Sequence, residues 1–179
     1  MSFIPLGFLA ASGSVATNFE SIASTTVGSG GSSYIEFTSI PTTYKHLQIR
    51  QTTISGTGSQ RMQVGNGSID TGANYAFHFI YGEGANAGAG NATSETKAYL
   101  GYSVGASYPH SAITDILDYS SSKYKTFRSF NGQDSNGTAS YVMLSSSIWL
   151  NTAPITSIRI SNESANLNEY STFALYGVK

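Results

Sequence analysis

Short runs in which apolar and polar residues alternate recur along most of the chain. Period two is the signature of a β-strand with one face buried. Residues 33–40 put Ile35 and Phe37 on one face, and residues 60–66 do the same with Met62 and Val64. Residues 44–53 send Leu47 and Ile49 one way and His46, Gln48 and Arg50 the other. Residues 74–82 place Tyr75, Phe77, Phe79 and Tyr81 on one face and Ala76, His78 and Ile80 on the opposite one. Further β-rich runs cover 96–104, 111–119, 124–130, 139–150, 155–161 and 172–178. Between them lies turn chemistry: SGTGS, GEGANAGAGN, NGQDSNG and NTAP.

About ten short antiparallel strands at this spacing predict an all-β fold, a jelly-roll-like β-sandwich. The least regular run is 111–119, where Ile113, Ile116 and Leu117 would also fit one face of a short helix. Residues 82–95 are rich in Gly, Ala and Asn and read as the longest loop. The division expected is an apolar arm and connector over 1–18, then one sandwich domain over 19–179.

Composition narrows the function classes. The 179 residues suit one domain, and they include no cysteine, which excludes disulfides, thiolate zinc sites and thiol catalysis. Charged residues make up 11% of the chain, against about 25% in ordinary soluble domains, and the formal net charge is −1. A nucleic-acid partner, which needs clustered Lys and Arg, is therefore not expected. No stretch approaches the ~20 apolar residues of a membrane-spanning helix, so no membrane partner is expected either. Residues 1–11, MSFIPLGFLAA, lack the basic start of a signal peptide and are interrupted by Pro5 and Gly7. They read as an extended arm whose Phe3, Ile4, Leu6, Phe8 and Leu9 anchor the chain to a neighbouring copy or an underlying shell.

Catalytic constellations are weak. Gly101-Tyr102-Ser103-Val104-Gly105 matches the G-x-S-x-G nucleophile elbow, but the following acid and His that a hydrolase requires are missing in that order. His46, His78 and His110 show no ligand spacing, and Asp115 and Asp118, three apart, do not share a strand face. Asn66, Asp70 and Asn74 frame a polar turn with too few carboxylates for a calcium loop. Gly82, Gly84 and Gly88 do not form a dinucleotide fingerprint. No enzyme activity, metal or cofactor is expected. Tyr99, Tyr102, Tyr108, Tyr119 and Tyr124 fall near strand ends or loops, where exposed rings could stack on sugars or fill an interface.

Several blocks resemble small β-rich virion structural proteins of tailed bacteriophages, of the cyanophage and marine-phage type. Residues 27–50, VGSGGSSYIEFTSIPTTYKHLQIR, after Phe19-Glu20-Ser21-Ile22-Ala23, resemble a Gly/Ser-rich strand leading into F-S-S-I-P-x-T-Y-x-H-L-Q-L-R. Residues 70–78 resemble G-D-T-G-x-N-Y-x-x-H, and 147–158 resemble G-L-W-x-S-T-A-A-I-T-S-I. Residues 171–179, STFALYGVK, resemble G-S-x-F-S-L-Y-G-I-K, and 5–13 resemble the start of phage virion proteins. The chain departs from the pattern at Gly67–Ile69, three extra residues that enlarge a turn. The resemblance implies a virion component assembled in the host cytoplasm, in its leading form a capsid decoration (cement) protein on the particle exterior. It implies a homo-oligomer, expected to be a trimer, and contact with other virion proteins such as the major capsid protein. The alternative it implies is a tail or fibre-tip protein binding host-surface glycans.

Overall fold

The computed structural model describes residues 18–137 and 140–179. These residues are all-β, with thirteen strands where the alternation predicts about ten. In chain order they are β1 (Phe19–Thr26), β2 (Ile35–Phe37), β3 (His46–Thr53), β4 (Gly58–Asn66), β5 (Ser68–Ile69), β6 (Tyr75–Glu83) and β7 (Asn86–Glu95). They continue with β8 (Ala98–Ser103), β9 (His110–Leu117), β10 (Lys125–Gln133), β11 (Tyr141–Trp149), β12 (Ser157–Asn162) and β13 (Thr172–Val178). One sheet has eight strands in the order β1-β13-β3-β9-β10-β11-β6-β7, and a smaller one runs β2-β12-β4-β5 with β8 also paired to β4. The chain crosses repeatedly between the two layers, so the fold is sandwich-like.

The alternation explains the core between the sheets. Leu47, Ile49, Ile116, Phe127, Trp149, Phe173 and Leu175 of the larger sheet meet Ile35, Phe37, Met62, Val64, Leu100, Ile158 and Ile160 of the smaller one, all buried. A second cluster sits under β6 and β7. Tyr99 of β8 stacks on Phe77 and Phe79, with ring centroids 5.1 and 4.8 Å apart. The Arg61 guanidinium lies over Phe77 and Tyr99 at 5.0 and 4.9 Å and pairs with Glu163 at 3.0 Å.

The β-rich run at 111–119 is strand β9, which alternates strictly, with Ala112, Thr114 and Ile116 buried. Other parts of the sequence reading depart from the structure, for physical reasons. The expected long loop at 82–95 is mostly strand, since β7 pairs with β6 over nearly its whole length. It carries small residues because the β6 rings lie against it. A Cβ on Gly90 would sit 2.5 Å from the Phe79 ring, and one on Gly88 would sit 2.7 Å from the Tyr81 ring. β1 escaped notice because a bulge between Ser21 and Ala23 interrupts its alternation. The extra residues Gly67–Ile69 complete a tight hairpin between β4 and β5, with Gly67 at φ 81° at its tip.

The turn after β5 is closed by one carboxylate. Asp70 accepts from the Gly72 N–H at 2.8 Å, the Asn74 amide at 2.9 Å and the Trp149 indole N–H at 2.8 Å. Partial burial raises the Asp70 pKa, but the donors from Trp149, Gly72 and Asn74 outweigh it and hold the carboxyl below its ordinary value. Asp70→Ala strands these donors and is expected to cost about 2 kcal/mol, read as a lower urea midpoint. An unchanged midpoint would show that the turn does not depend on the carboxylate.

Candidate functional site

The outer face of the eight-stranded sheet is where the chain departs from ordinary surface chemistry. An antiparallel sheet normally buries its apolar face and presents polar residues to water. Here the pairings β9–β10, β10–β11 and β11–β6 run without a bulge, so alternate residues stay in register across four strands. That register aligns Ile113 with Phe130, Phe130 with Leu144 and Leu144 with Ile80. The result is one continuous row of large apolar side chains perpendicular to the strands. With Val142 beside them, these five residues are 45–60% exposed.

The inner face of the same strands is locally polar. Ser129, Asn131, Gln133, Ser145 and Ser147 point inward and are buried. They are satisfied across the sandwich. The Ser145 and Ser147 hydroxyls both donate to the Tyr99 carbonyl, at 3.0 and 3.1 Å. Thr114 donates to Ser129 at 3.1 Å, and the Asn131 amide donates to the Leu100 carbonyl at 2.7 Å. The usual inside–outside polarity is therefore inverted locally, around Phe130 of β10 and Leu144 of β11, and the exposed row is the outer half of that inversion.

Two flanking rows shape the surface. On one side, Ser111, Gly132, Gly82 and Ala87 neighbour Val142 and leave a shallow groove of about 820 Å³ past Phe130 and a second of about 590 Å³ past Ile80 and Leu144. On the other side, Asp115, Arg128, Ser146 and His78 form a polar border. A further groove of about 540 Å³ lies between this border and the apolar row. Arg50 ends the row at β3. Its guanidinium lies over the rings of Tyr176 and Phe19, at 5.1 and 5.7 Å.

The residues singled out from the sequence fall elsewhere. Ser103 is fully buried on β8, where its hydroxyl donates to the Ser55 carbonyl at 3.2 Å and lies 3.3 Å from Gln133 Oε1. Gly101 lies against the Asn131 amide, and Gly105 adopts φ 147° with its carbonyl taken by the Gln133 amide at 2.8 Å. Packing thus accounts for each fixed position of the G-x-S-x-G match. His46 accepts from the Asp118 N–H at 3.0 Å, His78 is exposed in the polar border, and His110 is buried. Asp115 accepts from Gln48 at 2.8 Å and Asp118 pairs with Lys45 at 2.9 Å, so the two carboxylates are occupied separately. Asn66 takes the Thr156 hydroxyl at 3.2 Å and does not join Asp70. Among the tyrosines, Tyr75, Tyr99 and Tyr119 are buried, while Tyr108 and Tyr124 are exposed and flank opposite ends of β9. Phe3, Ile4, Leu6, Phe8 and Leu9 lie outside the described residues. Sequence reasoning missed the apolar row because alternation marks strands without saying which face of β9 to β11 turns outward.

The class that fold and surface define is an all-β sandwich presenting an apolar sheet face. Comparison with protein families, with curated proteins and with solved structures returns no match.

Proposed function

We propose that this protein is a non-catalytic structural component of a bacteriophage particle that assembles through the outer face of its eight-stranded sheet. The observation that carries this reading is the aligned row Ile113–Phe130–Leu144–Ile80 with Val142. Covering side chains already half-buried is worth roughly 1 kcal/mol each, so a face of five supports association only if most are covered together. Low charge removes the self-repulsion that would oppose it. In its most specific form the reading is a capsid-decorating protein on the particle exterior, a homo-oligomer expected to be a trimer and in contact with the major capsid protein. That form rests on the resemblance of the TYKHLQIR and FALYGVK blocks. The rival reading, a fibre-tip protein for host-surface glycans, would draw on the exposed rings of Tyr34, Tyr108, Tyr124 and Tyr170 rather than on the apolar row.

Sedimentation at micromolar concentration is expected to show the wild-type chain associated and Phe130→Ser/Leu144→Ser monomeric. Both substituted side chains are on the surface, so circular dichroism should stay unchanged. A wild-type chain that stays monomeric would refute assembly through this face.

A further inference from the structure

We propose that Asn136 is a site of spontaneous covalent modification, where the side-chain amide is lost as ammonia to attack by the Gly137 backbone nitrogen. The fold holds the chain's other Asn-Gly pairs, Asn66-Gly67 and Asn131-Gly132, against the same reaction. The inference does not depend on what the protein assembles with.

Asparagine is thermolabile, and a following glycine exposes it most, because no side chain shields the attacking nitrogen. That nitrogen gives up its proton to water and bonds to the Asn Cγ. The bond from Cγ to the side-chain nitrogen breaks, water returns a proton to that nitrogen, and it leaves as ammonia from a cyclic succinimide. A second water opens the ring at either carbonyl. The products are aspartate and isoaspartate, the latter with an extra methylene in the main chain. Attack needs a backbone N–H without a hydrogen bond, a carboxamide free to swing over it, and room around both.

The three pairs differ in these respects. Asn131 is buried, its amide donating to the Leu100 carbonyl at 2.7 Å and its Oδ1 set 3.3 Å from the His110 ring. Gly132 lies inside β10, paired with Ser111 of β9 and Val142 of β11. Exposure does not separate the other two, since Asn66 and Asn136 are both exposed. Thr156 does. The Gly67 N–H donates to the Thr156 hydroxyl at 2.7 Å, and that hydroxyl donates to Asn66 Oδ1 at 3.2 Å. One side chain thus ties down both the nitrogen and the carboxamide. Around Asn136 the anchoring falls on other atoms. The Asn136 N–H donates to Asp134 at 2.8 Å, and the Gly137 carbonyl accepts from the Ser140 hydroxyl at 3.0 Å. Neither the Asn136 carboxamide nor the Gly137 N–H has a hydrogen-bond partner among the described residues. A Cβ on Gly137 would meet nothing nearer than 3.8 Å, so the space beside the nitrogen is open.

The test keeps the full-length protein folded in mildly alkaline buffer for days and reads amide-to-acid conversion in its peptides by mass spectrometry. Asn136 is expected to convert about tenfold or more faster than Asn66, whose two hydrogen bonds must break first, and Asn131 to stay intact. In urea the three rates should converge. Thr156→Val, with circular dichroism unchanged, is expected to raise the Asn66 rate several-fold and leave Asn136 as it was. Gly137→Ala, placed in open space, should slow Asn136 several-fold. Equal rates at Asn66 and Asn136 in the folded protein would overturn the proposal. So would an Asn136 that converts in urea but not when folded, or a ranking of the three that urea leaves unchanged. An Asn66 rate unmoved by Thr156→Val would overturn the protection assigned to Thr156.

Discussion

Replacing Gly101 by alanine is expected to lower the stability of the protein by about 3 kcal/mol or more. A Cβ at this position would lie 2.2 Å from Asn131 Oδ1 and 2.4 Å from its Cγ. Asn131 cannot simply swing aside, because it is buried and holds the Leu100 carbonyl and the His110 ring. The methyl group therefore causes overpacking, typically 1–3 kcal/mol, and also displaces hydrogen bonds inside the sandwich at a further 1–3 kcal/mol. For a chain this size the thermal midpoint should fall by about 10 °C. Gly28→Ala is the control, since nothing lies within 4 Å of its added Cβ, and its midpoint should hardly move. Equal behaviour of the two variants would show that the Asn131 network is dispensable.

Acid should unfold the protein earlier than its carboxylates alone would dictate. Burial pushes the His110 imidazole down to about 4, against the smaller upward pull of Asn131. The neutral ring is satisfied on both sides. Nε2–H donates to Asn131 Oδ1 at 3.3 Å, an assignment fixed by the use of the Asn131 amide N–H on Leu100, and Nδ1 faces the Thr53 hydroxyl at 3.3 Å. Between pH 6.5 and 4 the unfolded chain takes up a proton that the folded chain refuses. Stability that is full above pH 6.5 is therefore lost as the pH falls to 4, by roughly 3 kcal/mol. Asp70, whose pKa is lowered from 3.8, acts in a separate window below that value. Urea midpoints at pH 7, 5.5 and 4 are expected to fall steadily in the wild type and to flatten in His110→Gln. The same slope in both proteins would assign the effect to other groups.

Alternation revealed the strands that carry large residues on one face, because burial of those residues is what sets the register. β7 was not legible, since its sequence NAGAGNATSE has nothing large to bury; its glycines answer to rings on β6, a demand visible only once the strands are paired. The candidate site was hidden for a related reason. In β10, Phe127 and Phe130 lie on opposite faces, so the rule that apolar residues face the core does not decide which of the two turns outward. What decides it is the set of hydrogen bonds from Thr114, Asn131, Ser145 and Ser147, whose partners lie on other strands. The G-x-S-x-G match shows the opposite failure. It is legible and suggests an exposed nucleophile, yet it is built from contacts to Ser55, Asn131 and Gln133.

The place of β13 in the sheet bears on the order of events during synthesis. Among the described residues β1 pairs only with β13, and β13 lies between β1 and β3, so Phe19 finds its partner in Val178. While the ribosome is still translating the middle of the message, β1 has no neighbour to bind and the sheet ends at β3. Pairings this distant in sequence also form slowly. β1 therefore joins the sheet only after β13 has emerged and docked, and a chain cut short before Thr172 would leave one edge of β3 unpaired.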